Sequence, residues 1–313
     1  MQRKIIIDTD PGQDDAVAIL LALASPEDFD VLGIVTVAGN VELDQTTRNA
    51  LRIVELSGRR EIPVYAGCDR PIRRPLQTAK HVHGKTGLDG PSLPAPTSKP
   101  QPTHGVDFIV GALRVHEPGE VTMVTLGPLT NLAIALAKAP DIAPRIKEIV
   151  MMAGAYFEVG NFSPAAEFNV FVDPEAADIV LRAGIPIIQA SLDVSHQVLT
   201  TVERLEEFRA LANKTGMAVA DMLAYSQTFD LTKYGGKGAP LHDPCTIAWL
   251  LKPDLFEGRL VNVSVETSSE LTRGMTVADF WRITDRPKNS TWLRHVDAPG
   301  FYALLTERLR RLP

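Results

Sequence analysis

The run Asp8-Thr9-Asp10-Pro11-Gly12-Gln13-Asp14-Asp15 places four carboxylates within eight residues. Like charges packed this densely repel one another unless a cation cancels them. Oxygen-only ligands suit a hard divalent ion, Ca2+ or Mg2+, better than Zn2+. A plainer reading covers part of the pattern. Asp14 and Asp15 would fit the first turn of a helix, where the helix dipole favours acids. That accounts for one or two of the acids, not four. An EF-hand loop is excluded, because position twelve counted from Asp8 is Ile19, not Glu.

Other residues could complete a site. His242-Asp243-Pro244 precedes an apolar helix from Cys245 to Leu251. Asp243 reads either as its N-cap, with Pro244 at the first helical position, or as a distant metal ligand beside a proton-donating His242. Gly160-Asn161 and Glu167-Phe168-Asn169 lie in one polar loop after Met151-Met152. Such side chains suit sugar hydroxyls. Turn chemistry for Asn161 and a solvated Glu167 is the competing account. His83-Gly84-Lys85-Thr86-Gly87-Leu88 is a weak signal by itself. His81, His104, His116, His196 and His295 have no usable spacing and read as structural or surface residues. Cys245 has no cationic neighbour and reads as a core thiol, not a nucleophile.

The elements that must position these residues alternate between strand and helix. Ile5-Ile6-Ile7 is a short apolar run, the mark of a buried parallel strand. A helix from Ala16 to Ala24, a strand from Val31 to Val37 and a helix from Leu43 to Leu56 follow. Strands at 121–126, 149–152 and 185–190 alternate with helices at 129–137 and 174–183. This rhythm predicts one α/β domain spanning 1–313, with a mostly parallel sheet flanked by helices on both faces. Ligands of such sheets bind at the carboxyl ends of the strands. The acid run, Gly39-Asn40, Gly127-Pro128 and Ala153-Gly154 all sit where apolar strands end. Residues 70–104 break the rhythm and read as a long loop near the site. A second irregular stretch runs from Lys233 to Pro240. The last ~55 residues read as strands and a closing helix.

Bulk properties narrow the function. The 313 residues carry a net charge of −6, with 45% hydrophobic and 22% charged residues. A nucleic-acid groove or an anionic membrane surface would call for a basic excess. Two cysteines are too few for a disulfide scaffold and fit a reducing compartment. No signal peptide or membrane span is read, and the expected location is the cytoplasm.

Together the motifs resemble the inosine-uridine preferring nucleoside hydrolases. The matching pieces are residues 8–16, Ala38-Gly39-Asn40, His83-Gly84 with Gly87-Leu88, Gly127-Pro128-Leu129-Thr130-Asn131, Ala166-Glu167-Phe168-Asn169 and Leu241-His242-Asp243-Pro244. The resemblance covers essentially the whole chain. It implies a Ca2+ ion held by the carboxylates of Asp10, Asp15 and Asp243 and the Leu126 carbonyl. It further implies that Asp14, Met152, Asn161, Glu167 and Asn169 hold ribose, and that Asn40 positions the attacking water. Phe168 and the segment from Tyr225 to Tyr234, with Phe229, would face the base. Gln13 falls at a variable position of the first motif and is expected to have little effect.

The implied reaction is hydrolysis of the N-glycosidic bond of ribonucleosides. Calcium-bound water is more acidic than bulk water, and Asp10 removes its proton. Carboxylates beneath the sugar stabilise an oxocarbenium-like transition state. His242, an imidazole with a pKa near neutrality, protonates the leaving base, and His83 lines the base side. His242 and the long loop resemble the pyrimidine-specific or mixed branch, and a homodimer or homotetramer is implied. Two rivals stand beside this reading. One is a haloacid-dehalogenase-type phosphatase with Asp8 as nucleophile, which lacks its downstream acidic motif here. The other is a non-catalytic, calcium-dependent nucleoside-binding protein.

Overall fold

Ile5, Ile6 and Ile7 alternate across the first strand, and the alternation divides the core in two. Ile5 and Ile7 pack in one apolar cluster, Ile6 in another on the opposite face of the sheet. Met123 and Val124, and then Ile149 and Val150, divide in the same way. A strand buried on both faces needs this continuous apolar run. The computed structural model describes residues 2–313, apart from the side chain of Tyr234.

The strands, in chain order, are β1 (Arg3–Thr9), β2 (Phe29–Thr36), β3 (Val64–Ala66), β4 (Val121–Thr125), β5 (Ile146–Met152) and β6 (Ile187–Ala190). There follow β7 (Leu199–Thr200), β8 (Ala239–Pro240), β9 (Phe256–Val261), β10 (Val263–Val265), β11 (Thr276–Ala278) and β12 (Ser290–Val296). Eight of them form the main sheet in the order β3-β2-β1-β4-β5-β6-β12-β9. All its pairings are parallel except β12 with β9. The β7–β8 and β10–β11 pairs are small antiparallel ribbons. The fold is therefore the expected single α/β domain.

The chain runs outward from β1 through β2 to β3, then returns to place β4 on the other side of β1. That reversal opens a crevice beyond the carboxyl ends of β1 and β4, where open α/β sheets bind ligands. The strand ends are stitched there: Leu126 N–H donates to the Asp8 carbonyl, and Val37 N–H to that of Thr9. Helices Gln13–Leu23 and Pro244–Leu251 pack against each other on one face of the sheet. The first carries the acid run into the crevice, and the second carries His242 and Asp243 at its start. The long loop contains one short helix, Lys80–His83, and the second irregular stretch is shorter than expected. It begins only after helix Lys214–Tyr234 ends at Gly235.

Candidate active site

Asp14, Asp15 and Asp243 meet on the floor of a cavity of about 450 Å³. One oxygen from each lies within 4.8 Å of the others. Asp15 is held by the start of its own helix. Its Oδ1 accepts from Thr9 Oγ1 at 2.5 Å and from Asp10 N–H at 3.2 Å. Its Oδ2 accepts from Gly12 N–H at 3.0 Å and Asn40 Nδ2 at 3.1 Å. The helix-capping account thus holds for Asp15, which joins the cluster as well. It fails for Asp243: that residue stands at the N-cap position with αR dihedrals and makes no side-chain cap. Its carboxylate faces the acids instead.

Asp10 lies behind this floor. It does not line the cavity, and its oxygens sit between Gly39 and Gly127, where a methyl group on either glycine would overlap them. Its Oδ2 accepts from Asn40 N–H at 2.7 Å, while Oδ1 is buried with no hydrogen-bond partner. Asn40 thereby braces both acids, since its Nδ2 also donates to the Asp10 carbonyl. Asp8 is 1% exposed, accepts from Asn131 Nδ2 at 2.8 Å and does not line the cavity. Like Asp10 it stands behind the floor, held by the side chain of Asn131.

Burial raises every one of these acids. Desolvation lifts Asp8 to about 7 and Asp14 to about 6. Burial first, then the charges of its neighbours, pushes Asp10 and Asp243 well above the ordinary carboxylate range. Asp15 rises for the same reasons, and its bonds to Thr9 and Gly12 hold it back. A hard divalent cation fits this donor set. It would cancel the mutual repulsion and satisfy the orphaned Asp10 oxygen.

The expected sugar residues form the next wall. Glu167 caps the short helix Phe168–Val172 through Asn169 N–H at 2.7 Å and Val170 N–H at 3.2 Å, and also accepts from Gly154 N–H at 2.9 Å. It is 2% exposed, so the solvated reading fails, and burial lifts its carboxyl to about 7. Asn169 Nδ2 donates to the Leu126 carbonyl at 2.7 Å and the Met152 carbonyl at 3.1 Å, tying the ends of β4 and β5 together. Asn161 Oδ1 accepts from Phe168 N–H at 3.0 Å, the turn role foreseen for it, and the residue also lines the cavity. Leu126 and Met152 line it too.

His83 and His242 also line the cavity. His83 Nδ1 is 2.5 Å from Gln13 Oε1, and Gln13 Nε2 donates to the carbonyls of His83 and Asp89. Gln13 therefore ties the long loop to the first helix. Burial pushes His83 down to about 4 and, aided by the neighbouring His196 and His83, His242 down to about 3. The near-neutral imidazole expected at His242 is thus corrected: the ring is uncharged at pH 7, because charging it would require desolvating a cation.

The end of the cavity expected to face the base is aromatic. Phe162 lies 5.3 Å from Phe168, and His81 lies 5.3 Å from Phe229, ring centroid to centroid. All four line the cavity. On helix Lys214–Tyr234, Ser226, Phe229 and Asp230 recur at helical spacing and face inward. Tyr225, at the rim of that face, is 40% exposed and does not line the cavity, so the structure does not bring it to the expected base site. The side chain of Tyr234 lies outside the described residues. Motif reading missed His81, His196 and Phe162. Their only signal was helical periodicity or proximity to another motif. Cys245 is buried as expected, its thiol pushed up by burial, and both cysteines are free. No helix among the described residues is long and apolar enough to cross a membrane.

The chain as a whole is similar to known proteins. Residues 5–303 match the sequence family described as inosine-uridine preferring nucleoside hydrolase. An uncharacterized protein of Schizosaccharomyces pombe is 55% identical over 99% of this chain and 100% of its own. The pyrimidine-specific ribonucleoside hydrolase RihA of Shewanella sp. strain ANA-3 is 49% identical over 99% of this chain and 96% of its own. Among solved structures, a purine-preferring ribonucleoside hydrolase from Gardnerella vaginalis superposes with a TM-score of 0.91 at 34% identity, over 98% of both chains.

Proposed function

The chain belongs to the inosine-uridine preferring nucleoside hydrolases, which cleave the N-glycosidic bond of ribonucleosides, and on that premise we propose a calcium-dependent hydrolase of pyrimidine or mixed ribonucleosides. One observation carries the proposal: Asp14, Asp15 and Asp243, from opposite ends of the chain, converge beside an orphaned Asp10 oxygen. Asp10, Asp15, Asp243 and the Leu126 carbonyl would hold Ca2+, with Asp14 shared between ion and sugar. When bound, the ion would acidify water and engage ribose hydroxyls.

The chain's own groups do the rest. Asp10, unpartnered at Oδ1 and ionised when a cation neutralises the floor, takes the proton of the attacking water and later releases it to solvent. Asp14, Asn161, Glu167 and Asn169 grip ribose and stabilise positive charge as the C1′–N bond breaks. The bonding electrons leave with the base. His242, being uncharged, donates a hydrogen bond from its ring N–H to that developing anion, and water supplies the proton completing the free base. The aromatic wall of Phe162, Phe168 and Phe229 stacks on any base face. The 49% identity to a pyrimidine-specific enzyme supports pyrimidines first.

Free cysteines fit a cytoplasmic location. A homodimer or homotetramer would cover exposed Trp281 and Ile283.

Chromatography of uridine, cytidine, inosine and adenosine after incubation, with and without chelator, tests this function. Free base appears from uridine or cytidine and disappears on complete metal removal. No cleavage under any metal condition would refute the hydrolase. Cleavage that survives metal removal refutes the role of the acids.

A further inference from the structure

His242 reaches the cavity because β7 pairs with β8. Leu199 lies opposite Pro240, and Leu241 N–H donates to the Val198 carbonyl at 2.9 Å. This brings His242 beside Ser195, the last residue of the short helix Leu192–Ser195. Ser195 is fully buried, and its Oγ lies 2.7 Å from His242 Nδ1. Among the described residues, no other acceptor lies within hydrogen-bond distance of that hydroxyl.

Two arrangements are conceivable for this contact. If Nδ1–H donated to Oγ, the buried hydroxyl hydrogen would have no acceptor. If the hydroxyl donates, Nδ1 accepts and the buried hydroxyl hydrogen is satisfied. The second arrangement leaves the ring hydrogen on Nε2. We propose that Ser195 is a positioning residue for base departure: its hydroxyl holds His242 in the Nε2–H tautomer and so presents an N–H donor to the leaving base.

The helix bearing Ser195 is itself clamped. The Asp193 carboxylate accepts from the N–H groups of Tyr156, Phe157 and Glu158 at 2.9–3.2 Å, and from Trp292 Nε1 at 2.8 Å. Four donors converging on one carboxylate fix the turn between β6 and the loop that leads to Asn161. Ser195 therefore cannot swing away without breaking the sugar wall. The proposal rests on His242 serving the leaving base, and its test separates the two ideas.

Ser195→Ala, Ser195→Thr and His242→Ala are compared on uridine and on nitrophenyl riboside, whose leaving group needs no donor. Ser195→Ala lowers kcat/KM for uridine by about 10–100-fold, the usual cost of losing an orienting partner. It leaves nitrophenyl riboside nearly unchanged, and Ser195→Thr recovers most of the loss. Nitrogen-15 NMR of the wild-type imidazole reads the tautomer directly: Nδ1 bare and Nε2 protonated in wild type, a mixture in Ser195→Ala. A wild-type spectrum with Nδ1 protonated overturns the proposal even if the variants fail to fold. So does full uridine activity in Ser195→Ala, or equal losses on both substrates. If His242→Ala still discriminates between the substrates while Ser195→Ala does not, only the serine's role falls. If neither discriminates, His242's role falls with it.

Discussion

The acid floor and the base end of the cavity are built differently. The floor stands on strand ends and helix starts whose backbone groups are already committed to the sheet. Asp15 accepts four hydrogen bonds, Glu167 three, and Asn40 binds two acids at once. The base end is made of the long loop, the last turns of helix Lys214–Tyr234 and the glycine-rich stretch after it. Its rings meet one another within the cavity, while the polar ties of the long loop, from Gln13 to His83 and Asp89 and from Asn49 to Thr86, anchor it from outside. On the proposed reading the sugar, common to all ribonucleosides, would face the polar floor, and the base, which varies, would face the aromatic end. Such an arrangement keeps the chemistry fixed while letting the base site adapt.

The contrast is open to direct attack. Removing a floor carboxylate has the largest effect: Asp243→Asn lowers kcat/KM on every nucleoside by more than about 100-fold and weakens calcium affinity measured by calorimetry. Retention of activity within a few-fold would show the floor to be less determined than described.

The pH dependence of stability comes next. Asp8, Asp14 and Glu167 have folded values of about 7, 6 and 7, against ordinary values of 3.8, 3.8 and 4.5. Raised carboxyl values favour the folded state below the ordinary values, and that advantage is lost as pH rises through the folded ones. The metal-free protein therefore melts at a higher temperature at pH 5 than at pH 8. Saturating calcium, which favours the ionised acids, shrinks or reverses the difference. Melting curves with and without chelator measure both. A metal-free Tm that rises from pH 5 to pH 8 contradicts the burial account.

The base end responds more mildly and selectively. Phe229→Ala raises KM about 10-fold, in line with 1–1.5 kcal/mol from lost aromatic contact, and alters the ratio between uridine and inosine. Tyr225→Ala changes neither by more than about twofold, as expected of an exposed substitution away from the site. A large Tyr225 effect would mean that the rim of this helix face also meets substrate.

Much of the floor was legible before any coordinates, because its information is local. Residues 8–15 span one strand end and one helical turn, so any fold that makes β1 and helix Gln13–Leu23 crowds those acids together. The alternating apolar runs announced the parallel sheet, and parallel sheets place ligands at their carboxyl ends. Helix Leu43–Leu56 even ended where its pattern did, one residue before Ser57 and its following glycine.

The remainder lay beyond reach of spacing. Whether Asp243 capped its helix or faced the acids depended on how helix Pro244–Leu251 packs on Gln13–Leu23, a contact between distant segments. The burial that drives His242 to about 3 is a property of the assembled cavity, not of the histidine's neighbours in the chain. The β7–β8 pairing joined Ser195 to His242, and the phase of one long helix left Tyr225 at the rim and turned Phe229 in. Sequence by itself thus determined which groups carry charge and which segments form strands and helices, since both follow from residue type and short-range periodicity. Tertiary structure alone decided which charges are desolvated and which side chains meet, since those follow from packing among segments far apart in the chain.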